Sequence, residues 1–277
     1  MLYNLRYIDP IYGGNTMRIV IKVGTSTLAH SSGRLNIRRV ELLCKVLSDL
    51  KNAGHQILLV SSGAIGMGVG KLSLPGRPDD IPGKQAAAAV GQCELMYTYD
   101  KLFSEHSHPV AQILLTAEDI QDDQRSSHIR NVLERLLCWN VLPIINENDA
   151  VAVDEIGVHT TIGENDTLSA VVAKLVNADL LVLLSDIDGL YTCDPKQSAD
   201  ARLIPVVEEL TAEIFSLAGG AGSSLGSGGM ATKLKAASLA TEAGIDMVIT
   251  NGENPNLLYD LFDGKAVGTR FLGRRNQ

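Results

Sequence analysis

The chain has 277 residues, of which 45% are hydrophobic and 20% are charged, enough for one large globular domain or two closely joined lobes. Its net charge of −8 provides no electrostatic footprint for nucleic acid and would repel an anionic membrane, so we expect neither as a partner. The four cysteines lie far apart with no C-x-x-C pair, so no zinc site or redox pair is signalled and no metal ligand is predicted. There is no run of about 20 apolar residues, and we expect a cytoplasmic protein.

The first sixteen residues, "MLYNLRYIDPIYGGNT", contain no continuous apolar segment and are not typical of a signal peptide. Met17 stands directly before the first clear strand. Residues 1–16 are therefore either a genuine arm or sequence upstream of the true start, and we favour the second interpretation. We predict that residues 17–277 form a single domain.

Short aliphatic runs recur along the chain without alternation of apolar and polar residues, which is typical of strands covered on both faces in a parallel sheet. These runs are residues 18–23, 56–60, 110–115, 141–145, 180–185 and 246–250. Segments with a helical period lie between them. The first such segment has one apolar stripe, formed by Ile37, Val40, Leu43, Val46 and Leu50, and Gly54 marks its end.

This alternation of strand and helix predicts an α/β fold, a three-layer α/β/α sandwich with an open, mostly parallel central sheet. Ligands of such folds bind at the carboxyl ends of the strands. "VGTST", "SSGAIGMG", "NENDAV" and "SDIDGLYTCDP" follow the first, second, fourth and fifth runs. A single segment of this kind would be an ordinary turn, but four of them at one sheet edge predict a functional site there.

The stretch "SSLGSGGMATKLKAA", residues 223–237, has a run of small residues, mostly glycine and serine, that leads directly into a predicted helix with a lysine near its start. Unpaired N–H groups at a helix start favour an anion such as phosphate, and the alternative is a flexible surface loop. Residues 226–231 match G-x-G-x-x-A, but no strand precedes them, so a Rossmann site is not indicated. Residues 222–226 match G-x-S-x-G, but no histidine follows His159, which excludes the order of a hydrolase triad.

Two lysines from opposite ends of the chain indicate phosphoryl transfer. Lys22 interrupts the apolar run "IVIKVG", and Lys233 lies just inside the helix that follows the glycines. Such cations can neutralise the charge that spreads over a transferring phosphoryl group. The alternative for Lys22 is a lysine at a sheet edge that extends to solvent. The Walker A pattern is absent, because Leu72 follows Gly70 and Lys71.

Together these motifs resemble those of the amino acid kinase family, whose fold is like that of carbamate kinase, and within it the branch that phosphorylates free glutamate. The resemblance runs from about Met17 to about Gly268 and rests on "KVGTSTL", "SSGAIGMG", "INENDAV", "GENDTLSA", "LLSDIDGLYTCDP" and "GSGGMATKLKAA". It implies transfer of the γ-phosphate of ATP, with Mg²⁺, to the side-chain carboxylate of L-glutamate, which is the first step of proline biosynthesis. The N-terminal part would bind glutamate and the C-terminal part ATP.

The resemblance also implies roles for individual residues. The catalytic residues would be Lys22, Lys233 and Asp166, with Asp166 holding the two lysines in place. The glutamate-binding residues would be Ser62, Asp149 and Asn165. The nucleotide-binding residues would be Lys22, Ser185, Asp186, Ser227, Gly228, Gly229, Met230, Ala231, Thr232 and Lys233.

Several alternatives stay open. Asp166 could instead cap the helix that begins "TLSAVVAKL", since aspartate is a favoured N-cap residue. Ser185 and Ser227 stand where the family usually has threonine, and each keeps a hydroxyl. The chain resembles the shorter members, which lack a PUA domain, and we expect a homo-oligomer, either a dimer or a tetramer. A catalytically silent sensor of nucleotide or amino acid on the same fold is the alternative to an enzyme.

Overall fold

The computed structural model describes residues 16–30, 34–151, 164–218 and 229–274. Within these ranges one sheet contains eight strands. They are β1 (Arg18–Val23), β2 (Gln56–Ser61), β3 (Val110–Leu115), β4 (Leu142–Glu147), β5 (Leu180–Ser185), β6 (Val206–Val207), β7 (Asp246–Asn251) and β8 (Thr269–Phe271). All six predicted strands are confirmed, whereas β6 and β8, with two and three residues, were too short to predict.

The strand order is β3-β4-β2-β1-β5-β7-β8-β6. The pairs from β3 through β7 are all parallel, and β8 pairs antiparallel with β7. The predicted open, mostly parallel sheet is therefore confirmed. Strand β1 lies between β2 and β5, so its carboxyl end is at the centre of the edge where ligands of this fold class bind.

The helices in the described ranges connect these strands. They are α1 (Thr25–Leu28), α2 (Ile37–Asn52), α3 (Ala64–Leu72), α4 (Ile81–Ser104), α5 (Ala117–Gln121), α6 (Asp123–Cys138), α7 (Asn165–Leu175), α8 (Ala212–Leu217), α9 (Met230–Glu242) and α10 (Leu257–Phe262). Among the described residues, none of these helices is both long and apolar enough to cross a bilayer.

Two hydrophobic cores cover the two faces of the sheet, because successive residues of a strand point to opposite faces. Val20 belongs to the core that α6, α7 and α9 complete. Its neighbours Ile19 and Ile21 belong to the core on the other face, which α2, α4 and α10 complete. The predicted three-layer sandwich is confirmed.

The apolar stripe of α2 is confirmed except at its first residue. Val40, Leu43, Val46 and Leu50 are buried, whereas Ile37 is 61% exposed. Ile37 is the first residue of α2, directly after the N-cap Asn36, so it lies at the end of the helix where the core no longer reaches it.

Helices α3 and α4 pack against each other at unusually short range. A Cβ on Gly91 of α4 would collide with the carbonyl oxygen of Ala64, and a Cβ on Gly68 of α3 would collide with that of Ala87. Glycine is thus needed on both helices for this approach. The contact holds the start of α3 and the middle of α4 beside the carboxyl ends of the central strands.

Candidate active site

Lys22 lies in the interior of the sheet. In register it stands beside Val60 of β2 and Leu183 of β5, and it is 8% exposed. The alternative of an edge lysine that extends to solvent is therefore wrong, because β1 has a neighbour on each side. A buried ammonium group needs a partner of opposite charge.

Asp166 is that partner, and it is shared with Lys233. The Nζ atom of Lys22 lies 2.6 Å from Oδ1 of Asp166, and the Nζ atom of Lys233 lies 3.1 Å from Oδ2. Asp166 and Lys233 are 2% and 4% exposed. Strand β1 and helices α7 and α9 thus bring together the three residues that the resemblance assigns to catalysis.

The two lysines set the ionisation of Asp166. Burial acts to raise the pKa of the Asp166 carboxyl, but Lys22 and Lys233 act more strongly in the other direction and hold that pKa below its usual value. Asp166 is therefore ionised at neutral pH, and one carboxylate faces two ammonium groups. Two neighbouring cations at the carboxyl edge of the sheet are the arrangement that attracts an anion such as phosphate.

Asp166 does not cap α7, so that alternative is wrong. The N-cap residue is Glu164, and no side chain makes a capping hydrogen bond there. Asp166 lies in the first turn, where a carboxylate interacts favourably with the helix dipole, and its oxygens face the lysines. The hydroxyl of Thr232, which the resemblance assigns to the nucleotide, also lies 3.0 Å from Oδ2 of Asp166.

Beside the lysine group, a row of side chains links the ends of β2 and β4 to α4. Asn165 donates from Nδ2 to the hydroxyl of Ser62 at 2.7 Å and to Oδ1 of Asn146 at 3.1 Å. Asn146 then donates from Nδ2 to Oε1 of Gln92 at 2.9 Å. Two predicted glutamate-binding residues, Ser62 and Asn165, are thus in direct contact, and Asn165 adjoins Asp166.

The third predicted glutamate-binding residue, Asp149, lines a neighbouring pocket. The pocket has a volume of about 400 Å³, within the usual range of small-molecule sites, and Gln92 lies on its wall. Ala64, the first residue of α3, also lines it. Asp149 is partly exposed, just beyond the end of β4.

Two of the predicted nucleotide-binding residues, Ser185 and Asp186, lie at the end of β5, on the side of β1 opposite β2 and β4. Ser185 ends β5, and its hydroxyl donates to the exposed Asp186 at 3.1 Å. Gly229 is the N-cap of α9, which has no side-chain capping hydrogen bond. The start of α9 therefore leaves backbone N–H groups for a phosphate.

The helix α9 that begins there carries the remaining residues of this set. These are Met230, Ala231, Thr232 and Lys233. Ser227 and Gly228 lie outside the described residues.

Sequence reasoning missed Gln92 and Asn146. Asn146 stands within the motif "INENDAV" without an assigned role, and its position at the end of β4 was the available signal. Gln92 is in the interior of α4 among alanines and glycines, where nothing in the local sequence distinguishes it from other helical residues.

No cluster of three or more His, Cys, Asp or Glu residues that could hold a metal ion occurs in the described part of the chain. Mg²⁺ does not require such a cluster, because it usually keeps several waters and binds through one or two carboxylates and the phosphates of a nucleotide.

A parallel sheet with buried cations and a helix start at its carboxyl edge is the architecture of a small-molecule phosphotransferase. Residues 17–251 match the amino acid kinase family, and the chain belongs to that family.

Among its relatives is the glutamate 5-kinase of Clostridium tetani (strain Massachusetts / E88), which is 56% identical over 94% of this chain and 96% of its own. The glutamate 5-kinase of Clostridium perfringens (strain 13 / Type A) is 50% identical over 95% of this chain and 98% of its own. Among solved structures, carbamate kinase from Giardia lamblia bound to AMP-PNP has the same fold, with a TM-score of 0.65 at 16% identity, over 94% of this chain and 99% of that chain.

Proposed function

We propose that this protein transfers the γ-phosphoryl group of ATP to the side-chain carboxylate of L-glutamate, the first step of proline biosynthesis. The observation that carries the proposal is the group of Lys22, Asp166 and Lys233, in which two buried ammonium groups share one carboxylate. The identity of 50% or more to two glutamate 5-kinases supports glutamate as the acceptor.

The two lysines would act on the transferring phosphoryl group. Negative charge spreads over its oxygens in the transition state, and preorganised cations stabilise that charge without having to reorganise. Asp166 would hold both ammonium groups in position, since it contacts each within 3.1 Å. Asp166 would thereby keep the two cations close together, where both can face the oxygens of the phosphoryl group.

The two substrates would approach the lysines from opposite sides. Ser62 and Asn165 lie on the side of β2 and β4, together with the pocket that Asp149 lines, and we assign this side to glutamate. We assign the other side, with Ser185, Asp186 and the segment from residue 227 to Lys233, to ATP. In this assignment the N-terminal part of a single domain, residues 17–277, binds the amino acid and the C-terminal part binds the nucleotide.

Mg²⁺ is proposed to enter with ATP and to neutralise charge on its phosphates. The exposed carboxylate of Asp186 is of the hard oxygen type that this ion prefers. The dimer or tetramer and the cytoplasmic location expected from the sequence are part of the same proposal.

The test is an assay with ATP, Mg²⁺, L-glutamate and hydroxylamine, which traps an acyl phosphate as its hydroxamate. We expect hydroxamate in proportion to the protein and dependent on each substrate. A protein that binds ATP and glutamate but forms no hydroxamate would instead be a sensor, and the proposal would be wrong.

A further inference from the structure

The hydrogen bonds of the amide row run in one direction, from Asn165 to Asn146 and from Asn146 to Gln92. A backbone carbonyl beside Asn165 helps to fix this direction. The Nδ2 atom of Asn165 lies 3.5 Å from the carbonyl oxygen of Ser61, which can only accept a hydrogen bond. The amide nitrogen of Asn165 therefore faces β2 and also donates to Oδ1 of Asn146. Asn146 must then present its own nitrogen to Gln92.

At the end of the row, Gln92 accepts with Oε1 and keeps its Nε2 group as a donor. Gln92 is 8% exposed, and among the described residues Nε2 is buried without a hydrogen-bond partner. A buried amide donor with no partner is costly. Since Gln92 lines the pocket, a ligand there can provide the missing acceptor.

The amides of Gln112 and Asn148 also line the pocket, but among the described residues only Gln92 has an amide nitrogen that is buried without a partner. Glu147 and Asp149 line it with carboxylates, and Ala88, Leu114 and Met96 contribute apolar surface. A substrate carboxylate in this place needs an N–H donor to compensate for the loss of water. Gln92 lies on the wall of the pocket, and its buried Nε2 group is a donor of this kind.

The spacing of the strands indicates which of the two carboxylates of glutamate would lie on the side of Gln92. Lys22 is on β1 and Asn146 on β4, two strands away, which corresponds to roughly 10 Å across the sheet. The two carboxyl carbons of an extended glutamate are about 5 Å apart, from standard bond lengths. A glutamate with its side-chain carboxylate at the lysines and its chain along the amide row would place its α-carboxylate about halfway to β4, on the side of Gln92.

We propose that Gln92 is a specificity-determining residue whose Nε2 group donates a hydrogen bond to the α-carboxylate of the acceptor amino acid. The inference rests on the proposed function and adds a contact that distinguishes amino acids from simple carboxylic acids. The close contact of Gly91 with Ala64 fixes the position of α4, and so of Gln92, against the pocket.

The test compares L-glutamate with 4-aminobutyrate, which keeps the amine and the reacting carboxylate but lacks the α-carboxylate. In Gln92→Glu the side chain keeps an acceptor for Asn146 and loses the donor. We expect kcat/KM for L-glutamate to fall about 10- to 150-fold, the effect of a hydrogen bond to a charged group. For 4-aminobutyrate, kcat/KM should stay within about threefold of wild type, since it has no α-carboxylate to lose.

Gln112→Glu is the matched control, because Gln112 lines the same pocket and the variant adds the same charge. Because Gln112 is exposed, solvent screens the added charge, and the preference for glutamate over 4-aminobutyrate should stay within about threefold of wild type. Gln92→Met, which removes the donor without adding charge, is measured alongside and replaces Gln92→Glu if that variant does not fold.

Three results would overturn the inference alone: unchanged glutamate kinetics in the Gln92 variants, equal losses for both acceptors, or the same loss of preference in Gln112→Glu. A wild-type protein that forms no hydroxamate from glutamate would overturn the proposed function as well.

Discussion

The ammonium group of Lys22 lies 2.6 Å from the carboxylate of Asp166, and this ion pair joins the centre of the sheet to the first turn of α7. Both residues are at least nine-tenths buried. Breaking a buried pair by removing one partner leaves an uncompensated charge, so the pair affects stability as well as catalysis.

We expect Asp166→Asn to lower the free energy of unfolding by about 3–5 kcal/mol at neutral pH, because two buried ammonium groups lose their counter-charge. The pKa of Asp166 is lowered in the folded protein, with burial opposing and the two lysines dominating the shift. Its stabilisation is therefore fully present above the unfolded pKa of about 3.9 and is lost as the pH falls through the depressed folded value.

Urea unfolding of wild type and Asp166→Asn between pH 7 and pH 3 measures this difference. The two curves should converge only below about pH 4. Asp260→Asn is the control, since Asp260 pairs with Lys265 at the surface and should cost at most about 1 kcal/mol. Equal stability of wild type and Asp166→Asn at pH 7 would contradict the prediction.

The second prediction concerns turnover. Lys22→Ala and Lys233→Ala should each lower kcat by about 10²–10³, the usual cost of removing one transition-state donor. Lys235→Ala removes an exposed lysine from the same helix as Lys233 and should retain wild-type turnover. Near-normal kcat in either of the first two variants at saturating substrates would exclude that lysine from phosphoryl stabilisation.

The parts of the fold and of the candidate site that were predictable from the sequence are those that depend on residues close together in the chain. Continuous apolar runs predicted the six long strands, and "IVIKVG" placed Lys22 at a strand end, because these signals are local. The amide row was not predictable, since Gln92 and Asn146 meet only after α4 packs beside β4. The burial of Ile37 was predicted wrongly, because periodicity does not show where a core ends.

The third prediction tests the contact between α3 and α4. A methyl group on Gly91 would meet the backbone of Ala64, which cannot move without shifting a whole helix. We expect Gly91→Ala to lower stability by about 1–3 kcal/mol, the cost of overpacking, and to raise KM for glutamate more than KM for ATP.

Gly76→Ala is the control for this variant, because a Cβ there would have no neighbour within 4 Å. Thermal melts of the three proteins and paired KM measurements provide the comparison. A melting temperature for Gly91→Ala equal to that of Gly76→Ala would show that the two helices can separate without cost.

The fourth prediction is that a chain beginning at Met17 is as stable and as active as the full chain. Residues 1–15 lie outside the described residues. Met17, the residue before β1, donates from its N–H to Nδ1 of His55 at 3.2 Å. The amine of a new N-terminus can still donate there. A clear fall in melting temperature, or a change in oligomeric state by light scattering, would show that the first residues pack against the protein.

The last prediction is that the protein distinguishes L-glutamate from N-acetylglutamate as the phosphoryl acceptor. A free amino acid carries an ammonium group, and Asp149, at the pocket beside β4, is the carboxylate proposed to receive it. An acetylated nitrogen has no charge and more bulk, so it could not form this ion pair with Asp149. Asp149 is partly exposed without substrate, but a bound amino acid would cover it, and losing one partner of a covered charge pair costs roughly 2–5 kcal/mol, or about 30-fold to several-thousand-fold in affinity.

We therefore expect L-glutamate to be phosphorylated and N-acetylglutamate not to be. Asp149→Ala should weaken apparent glutamate affinity by at least about 30-fold and change ATP affinity little, because the nucleotide is assigned to the other side of the lysines. Asp100→Ala, which removes an exposed carboxylate from α4, is the control for altered net charge. Comparable use of both acceptors by wild type, or unchanged glutamate dependence in Asp149→Ala, would remove amine recognition from Asp149 and require another residue for the choice of acceptor.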